Sequence, residues 1–424
     1  MPITSDLLKL IIADQREEHT TPKHYIKRTL EPKLLELSLN KEITVLTGLR
    51  RSGKSVLLDY VRRQSTESDY YFNFEDERLT EFTVNDFQLL HEVFIELFGV
   101  QKVFYFDEIQ NIDGWEMFVR RLYNNGNKIY ITGSNANLFS EELGTRLTGR
   151  YIPVSVYPVS FSEYLNYKND SLIGSKPWST TQIGQIKQLF SQYCIDGGIP
   201  EYIKHKRMDY LQALYESILY RDIIVRYKLP NALLLKKLVF YLASNCSKGI
   251  TYNSLKKLFE VGSSTTISDY CHYLENSYLC FTVSRYSDSV KAQIQSPKKV
   301  YFIDPAISRM LGFKISEDFG RLIENIVFLE LKRNNKEIYY HSEAKECDFI
   351  IREGTKTIQA IQVCKEMHDP KTKQREIEGL IEALIRFSLS EGLIITENEE
   401  YVENVQMGDK SFKMTVIPIW KWLA

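Results

Sequence analysis

The segment GLRRSGKS at residues 48–55 spaces two glycines, a lysine and a serine as phosphate-binding loops do. It follows an apolar run at 43–47 that is typical of a strand, and it precedes the helical pattern VLLDYVRR. Glycines let the backbone curl its N–H groups around phosphate oxygens, and the following helix directs its positive dipole end at the same charge. The segment therefore predicts a site for the phosphates of a nucleotide.

The residues of this loop have separate expected roles. We expect Lys54 to contact the β- and γ-phosphates and Ser55 to supply a hydroxyl to Mg²⁺. The residues expected to contact the nucleotide are Gly48, Arg51, Ser52, Gly53, Lys54, Ser55 and Val56. A chance loop with the same residues is the alternative interpretation, and the flanking strand and helix argue against it.

Two carboxylates follow an apolar run about fifty residues later. VFYF at 103–106 leads into Asp107 and Glu108, and ligands of open α/β sheets bind at such carboxyl ends of strands. We expect Asp107 to hold the Mg²⁺ shell and Glu108 to orient and deprotonate the attacking water. An acidic strand end that faces solvent is the alternative.

Further polar residues could complete a hydrolytic site. Asn135 follows the next apolar run and could contact the γ-phosphate or the water, although a Ser/Asn turn has the same pattern. Phosphoryl transfer also needs a cation at the developing charge, and Arg146 and Arg150 precede the last core strand, where one subunit could present an arginine to its neighbour. Surface salt bridging is the alternative for both arginines.

The elements that must position these residues alternate along the chain. Longer amphipathic segments separate short apolar runs at 43–48, 70–74, 103–106, 129–133 and 151–156. This rhythm predicts an α/β fold with a parallel sheet and crossover helices. The later pattern of helices, turns and a strand at 231–290 matches a winged helix-turn-helix.

We predict five segments from these patterns. They are N-terminal helices that pack on the core at 1–40, the phosphate-binding core at 41–165, a helical lid at 166–230, a winged helix at 231–290 and an accessory α/β domain at 291–424. A low-hydropathy stretch at 166–186 is expected to be a loop or linker.

These motifs resemble the AAA+-type ATPases of bacteria and archaea, in the branch related to STAND proteins. The resemblance rests on GLRRSGKS at 48–55, NFEDERL at 73–79, FDEIQNIDGWE at 106–116 and ITGSNANLFSEELGTRLTGRY at 131–151. It continues through YFIDPAI at 301–307, GRLIENIVFLEL at 320–331 and ECDFII at 346–351, so it covers nearly the whole chain.

The resemblance implies a P-loop NTPase core with ATP and Mg²⁺ as cofactors, a helical lid and a winged helix. It also implies a C-terminal restriction-endonuclease-like domain, similar to the PD-(D/E)xK nucleases. It supports the roles given to Lys54, Ser55, Asp107 and Glu108, and the LTGRY pattern favours Arg150 over Arg146. It implies no known substrate.

The accessory domain contains a second set of candidate ligands. Glu324, Asp348 and Gln362 follow the order in which nuclease folds gather Mg²⁺ ligands, but the position that needs a lysine is Cys364. Lys365 is adjacent, yet it points to the opposite face of its strand. We therefore predict a degenerate site that binds without cleaving, with an active nuclease as the alternative.

Charge argues against a general nucleic-acid or membrane partner. The 424 residues contain 54 Lys and Arg against 55 Asp and Glu, a net charge of −1. The third helix expected in the winged helix, 263–276, has no Lys or Arg, so DNA is a possible but not a favoured partner. Basic residues that could contact DNA around a wing are Lys256, Lys257, Arg285, Lys291, Lys298 and Lys299.

The sequence therefore predicts a Mg²⁺-dependent ATPase or ATP-driven switch whose accessory domains choose an unidentified protein partner. Alternatives are a DNA-associated ATPase or nuclease and a scaffold that binds nucleotide without hydrolysis, and GTP stays open beside ATP. A homo-oligomer is possible. Six scattered cysteines predict buried, reduced thiols, and no apolar run is long enough for a membrane span, so a cytoplasmic location is expected.

Overall fold

The chain forms two compact units in a computed structural model. The structure describes residues 2–18, 25–65, 69–135, 147, 149–172, 177–312 and 319–424. The first unit comprises Met1–Pro158 together with Asn276–Tyr278. The second unit comprises Val159–Glu275 and Leu279–Ala424.

Five parallel strands form the sheet of the first unit. They are β1 (Ile43–Thr47), β2 (Asp69–Asn73), β3 (Val103–Asp107), β4 (Lys128–Gly133) and β5 (Tyr151–Ser155). Their order is β2-β3-β4-β1-β5, which confirms the predicted α/β class and parallel sheet. The loop after β1 therefore opens at the carboxyl edge of the sheet, beside the ends of β4 and β3.

Helices cover both faces of this sheet. They are α1 (Ser5–Glu18), α2 (Glu31–Leu37), α3 (Lys54–Gln64), α4 (Phe87–Phe98) and α5 (Trp115–Asn124). Val45 packs in the core with α1, α4 and α5, whereas its neighbour Leu46 packs in a second core with α2 and α3. Alternate side chains of a strand point to opposite faces, so burial on both faces explains the continuous apolar runs.

The second unit begins with helices. They are α6 (Phe161–Lys168), α7 (Thr180–Asp196), α8 (Pro200–His205), α9 (Met208–Ser217) and a π-helix at Ile218–Val225. The loop expected at 166–186 was wrong at both ends, because α6 extends to Lys168 and α7 already begins at Thr180. Ser179 and Gln182 form a reciprocal capping box there, which satisfies backbone N–H groups of the first turn.

A small antiparallel sheet follows in the second unit. The elements run α10 (Ala232–Ser244), β6 (Gly249–Ile250), α11 (Tyr252–Leu258), α12 (Ser264–Asn276), β7 (Cys280–Ser284), α13 (Val290–Gln295) and β8 (Lys298–Phe302). The strand order is β6-β8-β7. Residues Ile267, Tyr270, Cys271 and Leu274 of α12 are buried at helical spacing, as the sequence predicts.

The C-terminal part of the second unit contains a larger mixed sheet. Its elements are α14 (Pro305–Leu311), α15 (Phe319–Arg333), β9 (Glu337–Ser342), β10 (Glu346–Glu353), β11 (Lys356–Val363), α16 (Pro370–Phe387), β12 (Glu391–Thr396), β13 (Tyr401–Met407), β14 (Lys410–Pro418) and α17 (Ile419–Leu423). The strand order is β13-β14-β12-β11-β10-β9. Sequence reasoning missed the hairpin β13–β14, whose edge strand β13 is mostly exposed and polar and so lacks an apolar run.

Among the described residues, no helix combines the length and the apolar character that crossing a membrane requires.

Candidate nucleotide-binding site

Close backbone contact requires glycine at the start of the loop between β1 and α3. A Cβ atom on Gly48 would lie 2.1 Å from the carbonyl oxygen of Val156, which is far inside van der Waals contact. At the other end, Gly53 has φ 98° and stands directly before the first residue of α3. Glycine adopts this left-handed conformation without steric cost, so the chain can turn sharply into the helix.

Lys54 connects the loop to the end of β3. Its buried Nζ donates hydrogen bonds to the carbonyl oxygens of Gly48 (3.2 Å) and Leu49 (3.1 Å). The same Nζ lies 3.5 Å from Oε1 of Glu108. The ammonium therefore lies between the predicted phosphate loop and the predicted catalytic carboxylate.

Asp107 lies at the tip of β3 and is almost fully buried. The hydroxyl of Ser55 donates a hydrogen bond to its carboxylate, as does the hydroxyl of Thr132 from the neighbouring strand β4. Burial raises the pKa of Asp107 to about 6, and the nearby charge of Glu108 acts in the same direction. The predicted pair of Mg²⁺ ligands, Ser55 and Asp107, is thus in direct contact.

Glu108 is held beside Asp107 in a left-handed backbone conformation, with φ 50°. Its N–H donates to the hydroxyl of Thr132 (3.0 Å), and the Gln110 amide donates to its carboxylate. Burial favours the neutral carboxyl, but the charges of Lys54 and Arg50 outweigh burial and lower its pKa. Glu108 is therefore ionised at neutral pH and able to accept a proton.

The other predicted contacts lie in or next to this edge of the sheet. Asn135 is fully buried two residues after β4. In the loop itself Arg51 is exposed, Ser52 is buried and Val56 is half-buried in the first turn of α3. The Ser52 hydroxyl has no hydrogen-bond partner among the described residues.

Arg150 lies at the opposite edge of the sheet. It directly precedes β5, its carbonyl oxygen accepts a hydrogen bond from the N–H of Ile43 at the start of β1, and its guanidinium lies 6.0 Å from the ring centre of Tyr123. Because β1 and β5 run parallel, the length of β1 separates Arg150 from the loop that follows Thr47. Arg146 lies outside the described residues.

Sequence reasoning missed three residues that position this site. Thr132 contacts both Asp107 and Glu108, and the hydroxyl of Tyr278 donates to Thr47 Oγ1 (2.8 Å) directly before the loop. Buried Arg28 donates to two backbone carbonyls next to the loop. Thr132 lies in the segment 131–151 quoted for the resemblance, but nothing in that segment indicates its contacts, and Arg28 and Tyr278 belong to no such segment. Each of the three reaches the site across a long stretch of chain.

The predicted acidic residues of the second unit also meet, but around a lysine. Nζ of buried Lys299, on β8, lies 3.1 Å from Glu324, 2.7 Å from Asp348 and 2.8 Å from Glu346. Burial opposes the charge on Lys299, but Asp348 and Glu324 outweigh it and raise its pKa well above its usual value. Burial also raises the pKa of Glu324.

Gln362 lies in the same region, but its side-chain oxygen already accepts a hydrogen bond. Its Oε1 accepts the N–H of Asp348 (3.3 Å), and its Nε2 donates to the carboxylate of Glu376. Glu324, Asp348 and Gln362 line a cavity of about 740 Å³. Lys365 lines the same cavity, because β11 ends at Val363 and Lys365 does not lie on the strand, so its predicted place on the opposite face was wrong. Cys364 is buried, and its Sγ lies 3.4 Å from the sulfur of Met367.

Comparison with known proteins agrees with the fold of the first unit. Residues 40–165 match a family model described as an AAA domain, and residues 187–317 match a domain of unknown function, DUF8612. The chain therefore contains a P-loop ATPase domain of the AAA type.

The chain belongs to the same family as the uncharacterized protein MJ1544 of Methanocaldococcus jannaschii. The two are 32% identical, over 98% of this chain and 95% of that protein. An uncharacterized protein of Haemophilus influenzae is 33% identical over 74% of this chain and 80% of its own length. Among solved structures, the Walker-type ATPase PABY2304 of Pyrococcus abyssi is 16% identical, with a TM-score of 0.45, and the match covers 68% of this chain and 95% of that one.

Proposed function

We propose that the protein is a Mg²⁺-dependent ATPase that acts as a nucleotide-driven switch, with accessory domains that bind a partner. The observation that carries the proposal is the meeting of Lys54, Ser55, Asp107 and Glu108 at one edge of the parallel sheet. A phosphate loop alone would support binding, whereas an ionised carboxylate beside the lysine also supports hydrolysis.

The residues at this edge suit Mg²⁺. Ser55 and Asp107 present hydroxyl and carboxylate oxygens, the donors that this hard cation prefers. Bound there, Mg²⁺ would neutralise charge that develops on the phosphate oxygens. The hydrogen bond from Thr132 fixes the Asp107 carboxylate for this role.

In the proposed hydrolysis, each of these residues has a separate role. The Glu108 carboxylate takes a proton from the attacking water, whose oxygen forms the new bond to the γ-phosphorus as the bond to the bridging oxygen breaks. Lys54 stabilises the charge on the β- and γ-phosphates, and Asn135 orients the water or the γ-phosphate. The N–H groups of the loop, including that of Gly53, hold the phosphates.

Arg150 enters this proposal only through a second copy of the chain. It lies at the far edge of its own sheet, so we propose that it reaches the nucleotide of a neighbouring subunit in a homo-oligomer. The proposed location is the cytoplasm, since all six cysteines are buried thiols and suit a reducing compartment.

For the second unit we propose a partner-binding role without phosphodiester cleavage. The order of α10 to β8, with a three-stranded antiparallel sheet, supports a winged helix. Between 263 and 276, its third helix offers no Lys or Arg for DNA phosphates. Lys299 of β8 already forms ion pairs with Glu324 and Asp348 of the accessory domain, which supports a degenerate nuclease-like site.

Steady-state ATP hydrolysis by the full chain with Mg²⁺ tests this proposal. Lys54→Ala should abolish hydrolysis, and Glu108→Gln should retain bound ATP while turnover falls about 10²- to 10⁴-fold, the usual contribution of a general base. Lys128→Ala is the matched control, because that lysine also donates to backbone carbonyls but at the amino edge of the sheet.

Two outcomes would contradict the assignment. Undiminished turnover in Lys54→Ala would remove the ATPase function, and loss of ATP binding in Glu108→Gln would make that carboxylate structural. Comparison of the hydrolysis rates with GTP and with ATP measures the preference for the nucleotide base. Double-stranded DNA in the same assay tests the DNA-associated alternative, which predicts stimulation that falls as salt is raised.

A further inference from the structure

Arg28 braces the phosphate loop from the segment that precedes α2. Its side chain is 6% exposed. One guanidinium nitrogen donates to the carbonyl oxygen of Ser52 (2.9 Å), and another donates to that of Tyr157 (2.6 Å). The guanidinium thus ties the phosphate loop to the chain that follows β5.

The backbone of Arg28 is itself fixed to α2. Its N–H donates to Oε1 of Glu31 (2.8 Å), and its carbonyl oxygen accepts the N–H of Glu31 (3.2 Å). Glu31 is buried as well. The two bonds to Glu31 fix the backbone of Arg28, and the two carbonyl acceptors hold its guanidinium.

The bond to Ser52 has a geometric consequence for Gly53. Ser52 C=O and Gly53 N–H belong to one peptide unit, and a trans peptide directs these groups to opposite sides. A guanidinium that holds the carbonyl oxygen on its own side therefore directs the Gly53 N–H away from Arg28. Phosphate loops bind their ligand through N–H groups of this kind.

The space around Gly53 is consistent with this arrangement. A Cβ atom on Gly53 would lie 3.4 Å from the same Arg28 nitrogen that bonds Ser52. The guanidinium is thus packed against the loop at the amino end of α3, where the helix dipole attracts phosphate.

We propose that Arg28 is a positioning residue for nucleotide binding: it keeps the Ser52–Gly53 peptide oriented so that the Gly53 N–H faces the phosphates. This inference rests on the proposed ATP-binding function. Only arginine has a planar fork of donors that reaches two carbonyls at once, so lysine should replace it only in part.

The test compares nucleotide affinity with the stability of the nucleotide-free protein. Titration of the full chain with fluorescent ATP should show about ten- to a hundredfold weaker binding for Arg28→Met, the usual effect of losing hydrogen bonds from a charged donor to buried acceptors. Arg28→Lys should recover part of the affinity. Arg62→Met is the matched control, because Arg62 is held by Asp69 and lies at the far end of α3.

Melting temperatures without nucleotide separate positioning from general stability. Arg28→Met should lose far more affinity than Arg62→Met at a comparable melting temperature, and Arg28→Lys gives the same comparison if the methionine variant does not fold. Wild-type affinity in the Arg28 variants, while Lys54→Ala loses binding, would overturn this inference alone. Wild-type affinity in Lys54→Ala would overturn the proposed function.

Discussion

Two opposing effects act on the pKa of the Asp107 carboxyl group. Burial in the first unit and the charge of Glu108 raise its pKa to about 6, while the hydroxyls of Ser55 and Thr132 bind its ionised form. A cation beside it would favour the ionised state. If Asp107 holds Mg²⁺ as proposed, its position comes at some expense to the stability of the nucleotide-free protein.

The pH dependence follows from the sign of this shift. The pKa of Asp107 is higher in the folded chain, about 6, than the usual aspartate pKa of 3.8. The folded state consequently binds more protons than the unfolded state between these values, and stability falls as pH rises through that window.

Asp107→Asn should therefore stabilise the nucleotide-free protein at pH 7.5 by roughly 1–3 kcal/mol while it abolishes Mg²⁺-dependent hydrolysis. Most of the gain should be lost near pH 4, where the aspartate is protonated in the folded state and about half protonated in the unfolded state. Denaturant unfolding at the two pH values measures both effects.

Asp69→Asn supplies the contrasting control. Asp69 is paired with Arg62 at 2.8 Å, so its neutralisation should destabilise the protein. A less stable Asp107→Asn protein at pH 7.5 would contradict the argument.

At the scale of the element, strand β8 places a lysine inside the acidic cluster of the second unit. The strand delivers Lys299 between Glu324 of α15 and Asp348 of β10, so two buried carboxylates share one buried ammonium. The hydroxyl of Tyr301, two residues along β8, also donates to Glu324 (2.7 Å). These bonds use the oxygens that a metal ion would need.

Lys299→Met should destabilise the protein by about 3–5 kcal/mol, because it leaves buried carboxylates without their cation. The deficit should shrink as pH is lowered, since the two carboxylates can then take up protons. Thermal or denaturant unfolding across pH measures it.

Lys298→Met provides the control for this strand. Lys298 is adjacent on β8, and its Nζ donates to the hydroxyl of Ser284 instead of to the cluster, so its replacement should cost much less. Equal losses in the two variants at neutral pH would contradict a special role for Lys299.

At the scale of the whole molecule, the two cations proposed for catalysis do not meet within the described part of one chain. Lys54 lies at the carboxyl edge of the first sheet, whereas Arg150 lies at the amino edge. Parallel strands carry these two residues on opposite ends, so an arginine at the γ-phosphate must come from another copy if Arg150 supplies it.

Mixing two variants tests this arrangement. Arg150→Ala should slow hydrolysis by about 10³-fold, the order expected for an arginine supplied by a neighbour. A mixture of Arg150→Ala with Glu108→Gln should regain activity, because some interfaces then pair an intact Glu108 with an intact Arg150.

The controls are each variant alone at the same total protein concentration. Wild-type turnover in Arg150→Ala would remove this residue from the mechanism. Activity that stays lost in a verified mixed oligomer would argue against a shared site.

Sequence was sufficient for the strands, the loop and the two carboxylates of the first unit, because their signals are local. The apolar runs predicted the five parallel strands, and the spacing in 48–55 and at 107–108 placed a phosphate loop and two carboxylates after strands of that sheet. Backbone geometry links such spacing to position, since every parallel strand delivers its following residues to the same edge. The hairpin β13–β14 lacked this signal because its edge strand is mainly exposed and polar.

Only the tertiary structure decided which distant residues complete each site. Thr132 reaches Asp107 from 25 residues away, Arg28 reaches Tyr157 from 129 residues away, and Lys299 reaches Asp348 from 49 residues away. The sequence determined the loop, the carboxylates and the fold class through periodicity and spacing. It could not determine these three contacts, because a hydrogen bond across a folded chain leaves no pattern in the residues beside it.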